Sequence, residues 1–133
     1  LYFKAVNNSF ERLMKGMRAA SGNPQKRLVE MSRAYLSFGL ERRSFAKMAA
    51  HASFNERDPG LSGNLAEMKE RIVTLFEKAI RKTRKRDGNA KGDALLLVGT
   101  MDGLMMNSNL SGRAGKTEKQ LEKIISMIAK VEK

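Results

Sequence analysis

Apolar residues recur along this chain at steps of three and four, the spacing of helices that each bury one face. Phe3, Val6, Phe10, Leu13, Met14 and Met17 make a first stripe, which Ser21-Gly22 closes. Asn23-Pro24 predicts a restart, because Asn caps free amides and Pro is tolerated at the first helical position. The second helix runs to about Arg42, with Leu28, Met31, Tyr35 and Phe38 as its stripe and Val29, Leu36 and Leu40 widening it. A short third helix is expected from Ser44, with Phe45, Met48, Ala49 and Ala52 inward, ending before the Asn55 to Gly60 loop. A fourth begins near Leu61 or Asn64, where Asn64 and Glu67 have capping-box spacing. Its stripe of Leu65, Met68, Ile72, Leu75, Phe76, Ala79 and Ile80 closes on a basic run and Asp87-Gly88.

The fifth helix breaks the pattern. Asn89 or Asp93 opens it and a break is expected from Asn107 to Gly115, yet Ala94 to Val98 are consecutive apolar residues and Met101, Leu104, Met105 and Met106 follow. A surface helix needs only one apolar stripe. Gly99 and Gly103 share a face of this helix, where missing side chains admit another backbone closely, at some cost in helix stability. A central core helix explains the pattern. So does a helix buried partly by its own domain and partly by a second copy of the chain. A sixth helix follows, opened by Thr117 and Gln120 at capping-box spacing. Leu121, Ile124, Ile125, Ile128 and Val131 form its stripe, with Lys116, Lys119, Lys123 and Lys130 outside or at the rim.

Composition narrows the class. A chain of 133 residues is expected to form one all-α domain, since it has only two prolines and many Ala, Leu, Met, Lys, Arg and Glu. It has no cysteine, which excludes a disulfide scaffold and thiol chemistry. No apolar run approaches a bilayer span and the N-terminus has no signal-peptide pattern, so a cytoplasmic protein without membrane contact is expected. The first residue is Leu1 and the periodicity is in phase by Phe3, which leads us to expect an upstream segment. A net charge of +12 attracts polyanions without specifying one.

Candidate chemistry is sparse. There is one histidine, His51, and no phosphate loop of Walker or dinucleotide type, so we expect no enzyme, no cofactor and no metal site. An all-α enzyme built on His51 and a carboxylate has no supporting constellation. Glu67 and Glu70 read as solvated surface charge between Lys69 and Arg71. Asp102, a lone acid in the apolar fifth helix, either faces solvent or binds a group across a subunit junction. The Arg81 to Arg86 run reads as a solvated helix end that meets the helix dipole. The alternative is a basic helical module binding nucleic acid, although no aromatics interleave for base stacking.

The methionines and aromatics carry more information. Phe10, Met14 and Met17 on the first helix, Tyr35 and Phe38 on the second, and Met48 on the third point to a common centre. Ile72 and Phe76 on the fourth helix and Met101 and Met105 on the fifth join them, with His51 as a polar contact. Flexible methionines between aromatic walls suit an adaptable apolar ligand site. They suit an ordinary core equally, and composition alone favours the core.

The order of elements resembles something specific. A helix entering from upstream is followed by one opened by Asn23-Pro24 and holding Arg33-Ala34-Tyr35-Leu36, then a short helix after Glu41-Arg42-Arg43. A long helix, an apolar helix with Met101-Asp102-Gly103-Leu104, and a final apolar helix complete it. This succession resembles the C-terminal regulatory domain of TetR-type transcriptional regulators over essentially the whole chain. The nearest local match is Leu95 to Leu104, and Leu1-Tyr2-Phe3-Lys4 is similar to the start of the helix that follows the family's DNA-reading helix.

The resemblance implies a six-helix ligand-binding and dimerisation domain. It implies a homodimer held by a four-helix bundle from the last two helices of each subunit, and a cavity for a small apolar or amphipathic effector among the first five. Ligand would move paired N-terminal helix-turn-helix domains out of operator register through a linker helix, here Leu1 to Ser21. That DNA-reading domain is expected upstream of residue 1, so operator DNA is a partner only through it. The expected dimer contact comprises Leu97, Met101 and Leu104 with Leu121, Ile124, Ile125 and Ile128, and Gly99 and Gly103 set its closeness.

Overall fold

A computed structural model of the chain describes residues 2–41, 59–84 and 88–111, together with Lys119, Gln120, Lys123 and Ser126. Among the described residues every regular element is helical: α1 (Tyr2–Arg18), α2 (Pro24–Glu41), α3 (Pro59–Lys82) and α4 (Ala90–Ser111). The all-α expectation holds at this level. The third predicted helix lies outside the described residues. Of the sixth, Lys119, Gln120, Lys123 and Ser126 are helical and exposed.

The helix starts follow from local chemistry. Asn23 caps α2: its Oδ1 accepts from the Lys26 amide at 2.8 Å and its carbonyl accepts from the Arg27 amide at 2.8 Å. Pro24 then opens the helix where its missing amide costs nothing. Gly22, at φ 110°, makes the sharp reversal after α1 that a side chain would resist. Asn89 repeats the device on α4, accepting from Gly92 through Oδ1 and from Asp93 through its carbonyl, both at 3.0 Å.

Two boundaries differ from the sequence reading. α3 begins at Pro59, so Asn64 lies inside the helix rather than at its cap. A proline in the first turn is itself a start signal, and it precedes the Asn64 to Glu67 pattern. α4 continues through Asn107 to Ser111. Asn and Ser cost a helix only tenths of a kilocalorie each, so Asn107, Ser108 and Asn109 do not stop a helix that packing already holds.

One core joins the four helices. Phe76 and Ile80 of α3, Met14 and Met17 of α1, Leu28 and Met31 of α2 and Leu97 and Met101 of α4 are all essentially inaccessible. α3 and α4 share the most extensive packing, α1 lies chiefly on α2, and α1 touches α3 more lightly. Ser32, buried on α2, returns its hydroxyl to the Leu28 carbonyl at 2.8 Å, which removes the cost of an unpaired polar group. At Gly39, α2 passes α4 so closely that an added Cβ would meet the end of the Met105 side chain. A side chain there would have to displace the end of Met105, so this glycine serves close approach rather than backbone conformation.

Candidate functional site

The residues expected around an effector do converge, and those described are buried together. Phe10, Met14, Met17, Tyr35, Ile72, Phe76, Met101 and Met105 are all buried in one contiguous cluster, with Phe38 packed on its edge. Met48 and His51 lie outside the described residues. Among the described residues the apolar stripes of the four helices are buried against one another. Met14 also borders a surface groove.

Tyr35 carries polar chemistry into this core. Tyr35 is 6% exposed, its ring edge-on to Phe76 with centroids 6.1 Å apart. Its hydroxyl donates to Asp102 Oδ1 at 2.6 Å and accepts from Lys69 Nζ at 3.1 Å. Lys69 also pairs with Asp102 directly and lies 5.9 Å from the centre of the Tyr35 ring. Three helices thus meet in one tyrosine–aspartate–lysine cluster: Tyr35 from α2, Lys69 from α3, Asp102 from α4. Burial first, and then the adjacent Asp102 carboxylate, hold the Tyr35 phenol well above its ordinary pKa of 10.0. It stays neutral and donating at physiological pH, which fits a clasp and disfavours a nucleophile or base. Asp102 therefore has a partner within its own chain, which the sequence did not identify. Its position one turn from Val98 and Met105 carried no sign of Tyr35, sixty-seven residues away.

The fifth predicted helix, α4, divides cleanly. Ala94, Leu97, Val98, Met101 and Met105 form the buried stripe. Leu97 and Met101, expected at the dimer contact, are wholly enclosed by their own chain and cannot also form an outer face. Leu104 is half-buried against the same core. The opposite side carries Leu95 at 53% and Leu96 at 61% exposure, with Gly99 and Gly103 exposed and nothing within 4 Å of where a Cβ would stand. The expected interface residues Leu121, Ile124, Ile125 and Ile128 lie outside the described residues. Leu95 and Leu96 were missed, although a helical wheel places them with the glycines and opposite Leu97.

The basic run is less available than it looked. The Arg84 side chain is 3% exposed and pairs with Asp93 near the start of α4. Arg81 pairs with Glu77 one turn back at 3.3 Å. The end of α3 is thus partly committed to internal ion pairs, and Lys85 and Arg86 lie outside the described residues. Glu67 and Glu70 are exposed. Among the described residues no group of three acids or histidines could hold a metal ion, and no helix is long and apolar enough to cross a membrane.

Surface grooves accompany the clasp, two of them lined by described residues of α1. One, of about 340 Å³, runs between α1 and α3, with Met14, Leu75 and Thr74 along it and Arg18, Arg71 and Lys78 beside them. Glu67 and Glu70 line it as well. Arg71 is held there by Glu11 at 3.2 Å and lies 4.9 Å from the centre of the Phe10 ring. The second, about 530 Å³, lies between α1 and α2 and offers only Gly16 and alanines as apolar surface, among Lys26, Glu30 and Arg33. Comparison with known protein families, characterised proteins and solved structures finds no match to this chain.

Proposed function

We propose that this chain is a homodimerising regulatory domain of the TetR-like kind, which takes a small amphipathic effector and acts on DNA only through a separate helix-turn-helix domain. The observation that carries the reading is the outer face of α4. A helix already buried on one side by its own chain shows two exposed leucines and two bare glycines on the other. Water gains nothing from Leu95 and Leu96, and a helix interior loses stability at Gly99 and Gly103. A second copy reconciles both costs. Placed antiparallel about Gly99, it sets Leu95 and Leu96 of each copy over Gly103 of the other, the self-complementarity that a two-fold interface requires.

This reading moves the dimer contact from Leu97 and Met101 to Leu95 and Leu96. It assigns the Ile-rich stripe of Leu121, Ile124, Ile125 and Ile128 to the same interface. α1 keeps the role of linker helix. The commitment of Arg84 and Arg81 to Asp93 and Glu77 speaks for this role over a nucleic-acid-binding module.

Sedimentation equilibrium tests the proposal. A dimer at micromolar concentration is expected, and Leu95→Glu with Leu96→Glu should leave a folded monomer, since both positions are exposed in the single chain. A monomeric parent chain would refute it. An unchanged dimer in the double variant would refute this choice of face.

A further inference from the structure

We infer that the groove between α1 and α3 is a binding site for a small anionic amphiphile, a molecule with one carboxylate or similar anion on a short apolar body. The groove's volume, about 340 Å³, falls at the lower end of the ~300–1,000 Å³ typical of ligand pockets. Its two walls repeat one motif. On α1, Met14 is followed one turn later by Arg18; on α3, Leu75 is followed one turn later by Lys78. Each helix therefore presents an apolar contact with a cation directly beyond it, and Thr74 adds a hydroxyl between them. An anion seated between Arg18 and Lys78 lays its apolar body over Leu75 and the small part of Met14 that reaches the groove.

The charges in the groove have a direction. Arg71 is already engaged by Glu11 and the Phe10 ring, so the cations left for a ligand are Arg18 and Lys78. Glu67 and Glu70 lie two to three helical turns back along α3, roughly 12–16 Å from Lys78 at 1.5 Å per residue. They leave the cationic end unopposed and disfavour an anion bound in the reverse sense. The net charge of +12 raises the local concentration of anions over the whole surface.

The second groove lacks this pairing, having no large apolar side chain. As the effector site this deepens the function proposed above and rests on that reading. A ligand bridging Arg18 of α1 to Lys78 of α3 ties down the helix that packs least on α3, and α1 is the element that reading makes the linker.

The test uses three probes of equal chain length, decanoate, decanol and decyltrimethylammonium, each below its micelle concentration, with the methionine methyl groups labelled for NMR. Decanoate should shift the Met14 methyl saturably. Decanol should bind at least about fivefold more weakly, the value of one modest charged contact at a solvated site. Arg18→Gln with Lys78→Gln, both exposed and expected to fold normally, should remove that preference. Equal or tighter binding of the ammonium probe, no saturable shift at Met14, or an unchanged decanoate affinity in the double variant would each overturn the inference. Sedimentation of the same samples keeps the two proposals separate. A monomer that binds decanoate sinks only the dimer reading, and a dimer that ignores decanoate sinks only this one.

Discussion

Replacing Tyr35 by Phe removes one oxygen from the junction of α2, α3 and α4 and leaves the ring where it packs on Phe76. The hydroxyl makes two hydrogen bonds to charged partners, donating to Asp102 at 2.6 Å and accepting from Lys69 at 3.1 Å. A hydrogen bond to a charged group contributes about 1.5–3 kcal/mol when enclosed. Here Asp102 and Lys69 keep each other and retain water, with side chains 33% and 45% exposed, so neither is stranded by the change. A loss of about 1–2 kcal/mol at pH 7 is expected, near the lower end of that range. Urea unfolding followed by circular dichroism at fixed pH measures it.

The pH dependence supplies an independent check. The phenol is held above 10.0 in the folded chain, so the neutral form is the one that folding favours. The stabilisation is complete below the unfolded pKa and is lost as pH rises from there through the folded value. Between those limits the unfolded chain releases the Tyr35 proton while the folded chain keeps it. The parent should then lose stability relative to Tyr35→Phe by up to about 1.4 kcal/mol per pH unit, and the gap between the two should narrow above pH 10. A variant as stable as the parent at pH 7, or a gap that stays constant into alkaline pH, would refute the clasp.

Other expectations follow from the same packing. Phe76→Ala, in the centre of the core, should cost about 3–5 kcal/mol in urea unfolding, and a loss below about 1 kcal/mol would mean the site collapses freely. Arg84→Ala should cost about 2–3 kcal/mol, less than a fully enclosed pair because Asp93 is 33% exposed. Arg81→Ala, which breaks a solvated pair one turn long, should stay within about 0.5 kcal/mol; equal effects in the two would erase the distinction between them. Asn23→Ala should remove about 1 kcal/mol and increase amide exchange at Lys26, and unchanged exchange there would show that another group caps α2.

Most of the local structure was legible in the chain. Stripes at steps of three and four, Asn23-Pro24, and Asn89 after Gly88 place α1, α2 and α4 to within a few residues, because caps and periodicity act over one or two turns. The buried sets Phe10 to Met17, Leu28 to Leu36 and Leu65 to Ile80 were read in the same way. The start of α3 at Pro59 departed from the expectation because a proline in the first turn is itself a start signal, and α4 ran past Asn107 because Asn and Ser oppose a helix only weakly. Three matters needed the tertiary structure. Whether methionines and aromatics face one another or an outer surface depends on how the helices pack, and Phe10, Met14, Met17, Phe76 and Met101 are buried together in one core. Which side of an almost wholly apolar α4 faces inward could not come from its own periodicity, since either side would serve. It came from where α2 and α3 lie, which encloses Leu97 and Met101 and leaves Leu95 and Leu96 outside. Nor does any spacing along the chain join Tyr35, Lys69 and Asp102, because a contact across thirty to seventy residues exists only once the helices between them have folded back.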